Sequence, residues 1–168
     1  NKTTWDTPFD VHFRAFAREA NKAVFDNHRN NRSLNLDAFE TPTGADLVYL
    51  DPPYLNARGV GVDYRDFYHF LEGLTDYEGW SQQIDFDSRH LRLRSQVSIW
   101  HSRHTIEQAF DALIERHRRS TIVLSYRDDG IPSKEQLISI LCRYKRHVRD
   151  VSQSKQYVLS HKHSHELL

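Results

Sequence analysis

The chain has 168 residues and a mass of 19.9 kDa, with 38% hydrophobic and 27% charged residues and a mean hydropathy of −0.73; this is the composition of one soluble globular domain and excludes rod-like and disordered classes. Its 23 basic and 23 acidic side chains cancel, but residues 1–80 hold 8 basic against 13 acidic and residues 81–168 hold 15 against 10, so the second half is the better nucleic-acid face. A single cysteine, Cys142, excludes a disulfide framework and a Cys-rich zinc site, and no apolar run reaches a membrane span or signal peptide, which together point to a reducing cytoplasm.

Three helices are predicted. The first opens at Thr7 with Pro8 as its first helical residue, and Phe9, Phe13, Phe16, Ala20 and Val24 recur along one face. Weak strand character follows at Ser33–Leu36, then a continuous apolar run, Leu47–Leu50, that suits a strand buried on both faces of a parallel sheet. Residues 55–103 form a long irregular excursion rich in aromatics and charges. The second helix begins near Thr105, with Gln108 completing a capping box and Ile106, Phe110, Leu113 and Ile114 facing inward. A second buried strand, Ile122–Leu124, precedes a third helix capped by Ser133 and Gln136, which buries Leu137, Ile138, Leu141 and either Cys142 or Tyr144. Val148–Val151 and Tyr157–Leu159 are expected to close the fold as an antiparallel pair. The order of elements is that of an α/β sheet in a single domain over 1–168.

The chemistry concentrates in ADLVYLDPPY, residues 45–54, where a buried strand ends on Asp51, Pro52, Pro53 and Tyr54. Ligands of open α/β sheets sit outside the carboxyl ends of strands, where Asp51 emerges. The two prolines fix φ and remove two backbone donors, so the segment offers carbonyl oxygens without competing N–H groups. A carboxylate beside a fixed carbonyl accepts both hydrogens of a flat amino group, and the Tyr54 ring offers a face on which a base can stack. The same string also serves as a plain strand-terminating turn.

With these residues the chain resembles the Dam-like class of DPPY-type DNA adenine-N6 methyltransferases. The likeness extends to NLDAF (35–39), DYRDFYHFLEGLTDYEGW (63–80), IVLSYRDDGIPSKEQL (122–137) and the tail KQYVLSHKHSHELL. The resemblance implies a partial Rossmann-like, S-adenosylmethionine-dependent methyltransferase sheet with flanking helices. It further implies a prokaryotic restriction-modification setting, with double-stranded DNA as substrate and a cognate endonuclease system as partner. It casts Asp51 and Pro52 as acceptors for the N6 amine of a flipped adenine, Pro53 as their rigid neighbour and Tyr54 as the stacking ring. Asp37 and Phe39, with Asp51, border the cofactor. Tyr64, Phe67 and Tyr68 line the target pocket or pack as core aromatics, Ser125 and Tyr126 flank the cleft, and Arg89, Arg92 and Arg94 meet the DNA or lie on a solvated face. The glycine-rich FxGxG cofactor loop of the family is absent from these residues, and so is methionine; the expectation is a C-terminal portion of a larger enzyme, weak in cofactor binding on its own.

Eleven histidines invite a metal reading, above all the alternating His161, His163 and His165, but methyl transfer needs no metal and none is expected. Two other functions fit the same residues: guanine-N2 methylation of ribosomal RNA, and a catalytically incomplete DNA-binding fragment.

Overall fold

The computed structural model describes residues 5–59, 61, 63–155 and 164–167. They fall into two compact units, 1–35 and 36–168.

The first unit is built on helix α1, Phe9–Ala23. Pro8 is its N-cap rather than its first helical residue, and no side chain caps the helix, so the predicted start at Thr7 moves by one position. Phe9 stacks on Phe13 at 6.1 Å, yet the apolar face is uncovered: Phe9, Phe13 and Phe16 are all more than half exposed. Ser33–Leu36 forms no strand.

In the second unit a 3-10 turn, Ala38–Glu40, precedes strand β1, Leu47–Leu50. Within the excursion lie three short helices, α2 (Tyr64–Phe67), α3 (His69–Thr75) and α4 (Trp80–Gln83), and a second 3-10 turn at Ile99–His101. The segment is thus less irregular than its sequence suggests, held by local contacts such as the edge-on packing of Phe70 and Trp80 at 5.7 Å. Helix α5, Ile106–Arg116, leads to β2 (Thr121–Leu124) and the short β3 (Tyr126–Arg127); helix α6, Lys134–Tyr144, leads to β4 (Ser152–Lys155) and β5 (Ser164–Leu167).

Strands β1 and β2 pair in parallel, Leu47 opposite Thr121 and Leu50 opposite Leu124, as the two apolar runs predict. Burial on both faces does not follow. Leu47 and Tyr49 are 57% and 55% exposed, because among the described residues β1 pairs with β2 alone and only Leu50 of the strand is buried. The expected closing pair is antiparallel but displaced: β4 begins after Val151, β5 lies between it and β3 in a three-stranded sheet, and Tyr157–Leu159 lies outside the described residues.

The core sits where α5 and α6 meet β1 and β2, with Ile106, Phe110, Leu113 and Ile114 from α5, Leu137 and Ile140 from α6, and Leu50 and Leu124 from the strands. All four predicted α5 residues are buried. The capping box predicted at Thr105 does not form, because the Thr105 hydroxyl donates instead to the Ile99 carbonyl at 2.7 Å, tying the helix to the preceding turn. At α6 the box is complete, with Ser133 and Gln136 satisfying each other's backbone N–H groups. There the buried stripe runs through Leu137 and Ile140; Ile138, Leu141 and Tyr144 are half-buried and Cys142 is exposed, which removes it from the expected core. Among the described residues no helix is long and apolar enough to cross a membrane.

Candidate active site

Residues 51–54 leave the carboxyl end of β1, as the position of the motif requires. The end of β2 holds the loop at both sides. Before it, the Ser125 amide donates to the Leu50 carbonyl at 2.9 Å, extending the β1–β2 ladder by one bond. After it, Leu55 is fully buried; its amide donates to the Tyr126 hydroxyl at 3.2 Å and its carbonyl accepts from the Ile131 amide at 2.8 Å. The prolines between supply no N–H that could compete with these bonds.

Asp51 is exposed and Pro52, Pro53 and Tyr54 are half-buried. The Tyr54 hydroxyl donates to Asp51 Oδ1 at 3.0 Å and lies 3.4 Å from Ser125 Oγ. One carboxylate oxygen is therefore held by the ring three residues on, and the other accepts no hydrogen bond among the described residues. Behind the loop runs a relay of aromatic rings. Tyr54 meets Tyr126 edge-on at 5.5 Å, Tyr126 meets Phe110 at 5.2 Å, Phe110 meets Trp100 at 5.4 Å, and Trp100 stacks on Phe39 at 6.1 Å with planes 11° apart. Each of these pairs has the offset or edge geometry that the ring quadrupoles favour.

A cavity of about 460 Å³ opens beside the loop, with Asp51, Pro52, Pro53, Ala38, Trp100 and His117 in its wall. Its size lies within the range of small-molecule sites. Another cavity, of about 520 Å³ between β2 and α6, has none of residues 51–54 in its wall.

The structure thus brings Asp51, Pro52, Pro53, Tyr54, Ser125 and Tyr126 together, with Phe39 at the far end of the relay. Ser125 and Tyr126 are fully buried and support the loop from behind, rather than lining an open surface. Asp37 caps the first 3-10 turn, its carboxylate accepting from the Phe39 amide at 2.9 Å. Tyr64 belongs to α2, and Phe67, at its end, and Tyr68, at the α3 N-cap, are exposed. Arg89, Arg92 and Arg94 lie on a small hairpin closed by bonds of 2.8 Å from the Asp85 amide to the Arg92 carbonyl and from the Arg94 amide to the Gln83 carbonyl. Leu93 is buried between Arg92 and Arg94, so alternation turns both arginines to the opposite side; Arg92 pairs with Asp85 at 3.5 Å. His161 and His163 lie outside the described residues.

Several participants escaped the sequence reading. Trp100 and Leu55 carry no local signal. Arg103 donates to the Ala57 carbonyl and lies against Gly59, whose φ of +78° closes the turn after the loop. His117, hidden in a run of basic residues, is 4% exposed; its Nε2 lies 3.4 Å from the Thr41 hydroxyl and its Nδ1 has no hydrogen-bond partner. Burial first, then the Arg116 and Lys145 charges, holds its pKa below the ordinary value. The unfolded chain accepts a proton at His117 below about pH 6.5, whereas the folded chain resists it, so this contribution to stability is complete above that pH and declines below it. Melting temperatures measured from about pH 7.5 to about pH 5.5 should fall, and His117→Gln should flatten the decline.

The type II methyltransferase M2.HphI of Haemophilus parahaemolyticus is 32% identical over 143 residues, 83% of this chain and 38% of that protein. The modification methylase StsI of Streptococcus sanguinis is 33% identical over 70% of this chain and 17% of its own length, and the type II methyltransferase M.FokI of Planomicrobium okeanokoites is 31% identical over 70% and 18%. The chain spans well under half the length of these curated relatives. No family profile matches the chain, and no solved structure matches it. Similarity of this extent to several modification enzymes at once makes the chain a homologue of the type II restriction-modification DNA methyltransferases.

Proposed function

We propose that the protein methylates the exocyclic N6 of adenine in double-stranded DNA, using S-adenosylmethionine, within a restriction-modification system, and that its β1–β2 pair belongs to a Rossmann-like methyltransferase domain served by the whole of 1–168. The observation that carries this reading is the Asp51 carboxylate at the end of β1, one oxygen held by Tyr54 and the other free, beside a proline pair that leaves its carbonyls unopposed. The amine is oriented by the free Asp51 oxygen and the Pro52 carbonyl, which accept its two hydrogens and direct the nitrogen lone pair at the methyl group. Orientation of this kind is worth about 7–11 kcal/mol, so no covalent nucleophile is needed. S-adenosylmethionine, when bound, supplies the methyl group, and the cavity beside Pro52, with Trp100 stacked on Phe39 at its side, suits the nucleoside half of that molecule. An adenine extruded from the duplex regains ~1–3 kcal/mol by stacking on an aromatic face such as Tyr54.

The test is incubation of the intact protein with labelled S-adenosylmethionine and, in parallel, duplex DNA or ribosomal RNA, followed by nucleoside analysis. N6-methyladenine is the expected product; label in RNA guanine, or in no nucleic acid, overturns the reading. For the DNA face, Arg89 and Arg94 are the arginines of the hairpin that project without the Asp85 pairing of Arg92. Replacing both with alanine should weaken binding to cognate and unrelated duplexes alike and lower the slope of log affinity against log salt by about 1.8, at about 0.9 per phosphate contact. An unchanged slope returns them to a solvated face.

A further inference from the structure

We infer that Tyr126 is a positioning residue for the Asp51 loop, acting through Leu55 rather than touching the base, an inference that rests on the function proposed above. Its hydroxyl stands in a closed cycle. It accepts from the Leu55 amide, it donates to the Ile131 carbonyl, and the Ile131 amide donates back to the Leu55 carbonyl. Leu55 and Ile131 each contribute one N–H donor and one carbonyl acceptor, and the Tyr126 hydroxyl, which alone both accepts and donates, couples the two bonds it makes so that each strengthens the other. The ring is fully buried, one contact against Phe110 and another against Tyr54. Burial also raises the pKa of the hydroxyl, which keeps it protonated as the donor the Ile131 carbonyl requires.

Gly130 completes the clasp. A Cβ there would stand 2.6 Å from Tyr126 Cε1, so only glycine lets the backbone close over the ring, and an isolated bridge then pairs Asn56 with Gly130. The exit of the loop is thereby fixed by residues of 126–131, and its start by the Ser125 amide. With both ends held and two prolines between, the Asp51 carboxylate and Pro52 carbonyl keep their separation before substrate arrives, which is what a positioned acceptor pair requires.

Tyr126→Phe keeps the ring and removes the hydroxyl, and Gly130→Ala keeps the hydroxyl and displaces the ring. In the intact protein, amide hydrogen exchange at Leu55 should accelerate about tenfold in Tyr126→Phe while the Ser125 amide stays protected. In both variants kcat should fall ~10- to 100-fold, as small misplacements of reacting groups do, with KM for DNA and for S-adenosylmethionine within about twofold of the parent. Asp51→Ala is measured in parallel. Unchanged exchange at Leu55 removes the clasp, and faster exchange with an unchanged kcat, or a rise in KM alone, removes its positioning role. Transfer that survives Asp51→Ala instead shows that the loop itself was misread, and the inference falls with it.

Discussion

Replacing Asp51 with alanine should reduce single-turnover methyl transfer by at least ~10³-fold while the fold persists. The carboxylate is exposed, and its one hydrogen bond among the described side chains is from the Tyr54 hydroxyl, so its removal takes nothing from the core. Under the proposed function, what disappears is the acceptor for the amine, at a position where hydrogen bonds to an ionised group are roughly twice as strong as neutral ones. Asp51→Asn keeps an acceptor and loses the charge, and should fall between the alanine variant and the parent. Melting curves recorded beside the kinetics separate lost chemistry from lost structure; near-normal transfer by a folded Asp51→Ala protein eliminates the role given to it.

Phe110→Ala should have the largest effect on stability. Phe110 is fully buried and is the middle of the aromatic relay, with Trp100 on one side and Tyr126 on the other. Truncating a buried phenylalanine costs about 3–5 kcal/mol. For a chain of this size each kcal/mol shifts the melting temperature by about 2–4 °C, so the midpoint should fall by roughly 6–20 °C. Phe110→Leu should lose much less, since it leaves a smaller void. A loss below ~1 kcal/mol for the alanine variant would mean that the relay is not the spine of the fold.

The residues of the loop itself were legible because their signal is local: an apolar run followed by Asp-Pro-Pro-Tyr specifies both the strand and where it ends. The parallel partner was legible for the same reason, and the Ser133 cap needs only its own four residues. Errors arose where a distant group competes. Thr105 has the sequence of a cap, but the Ile99 carbonyl takes its hydroxyl. Cys142 has the periodicity of a core residue, yet the stripe of α6 passes through Ile140 instead. Ser125 and Tyr126 were placed at the cleft by their position after β2, but burial turns them into its support. Leu55 and Ile131, 76 positions apart, meet only through tertiary structure, and no spacing rule connects them.

The pairing of Leu47 with Thr121 has a kinetic meaning. The pairing joins residues far apart in the chain, so the Asp51 loop and the residues that hold it depend on non-local contacts, which are the slow kind to close in folding. Once the ends have met, the length between them matters little, since each doubling of a closed loop adds only about 0.6 kcal/mol of entropy loss. The segment carrying the arginine hairpin should therefore tolerate changes of length at its exposed turn, between Ser88 and Leu91, with little effect on the geometry of the Asp51 loop.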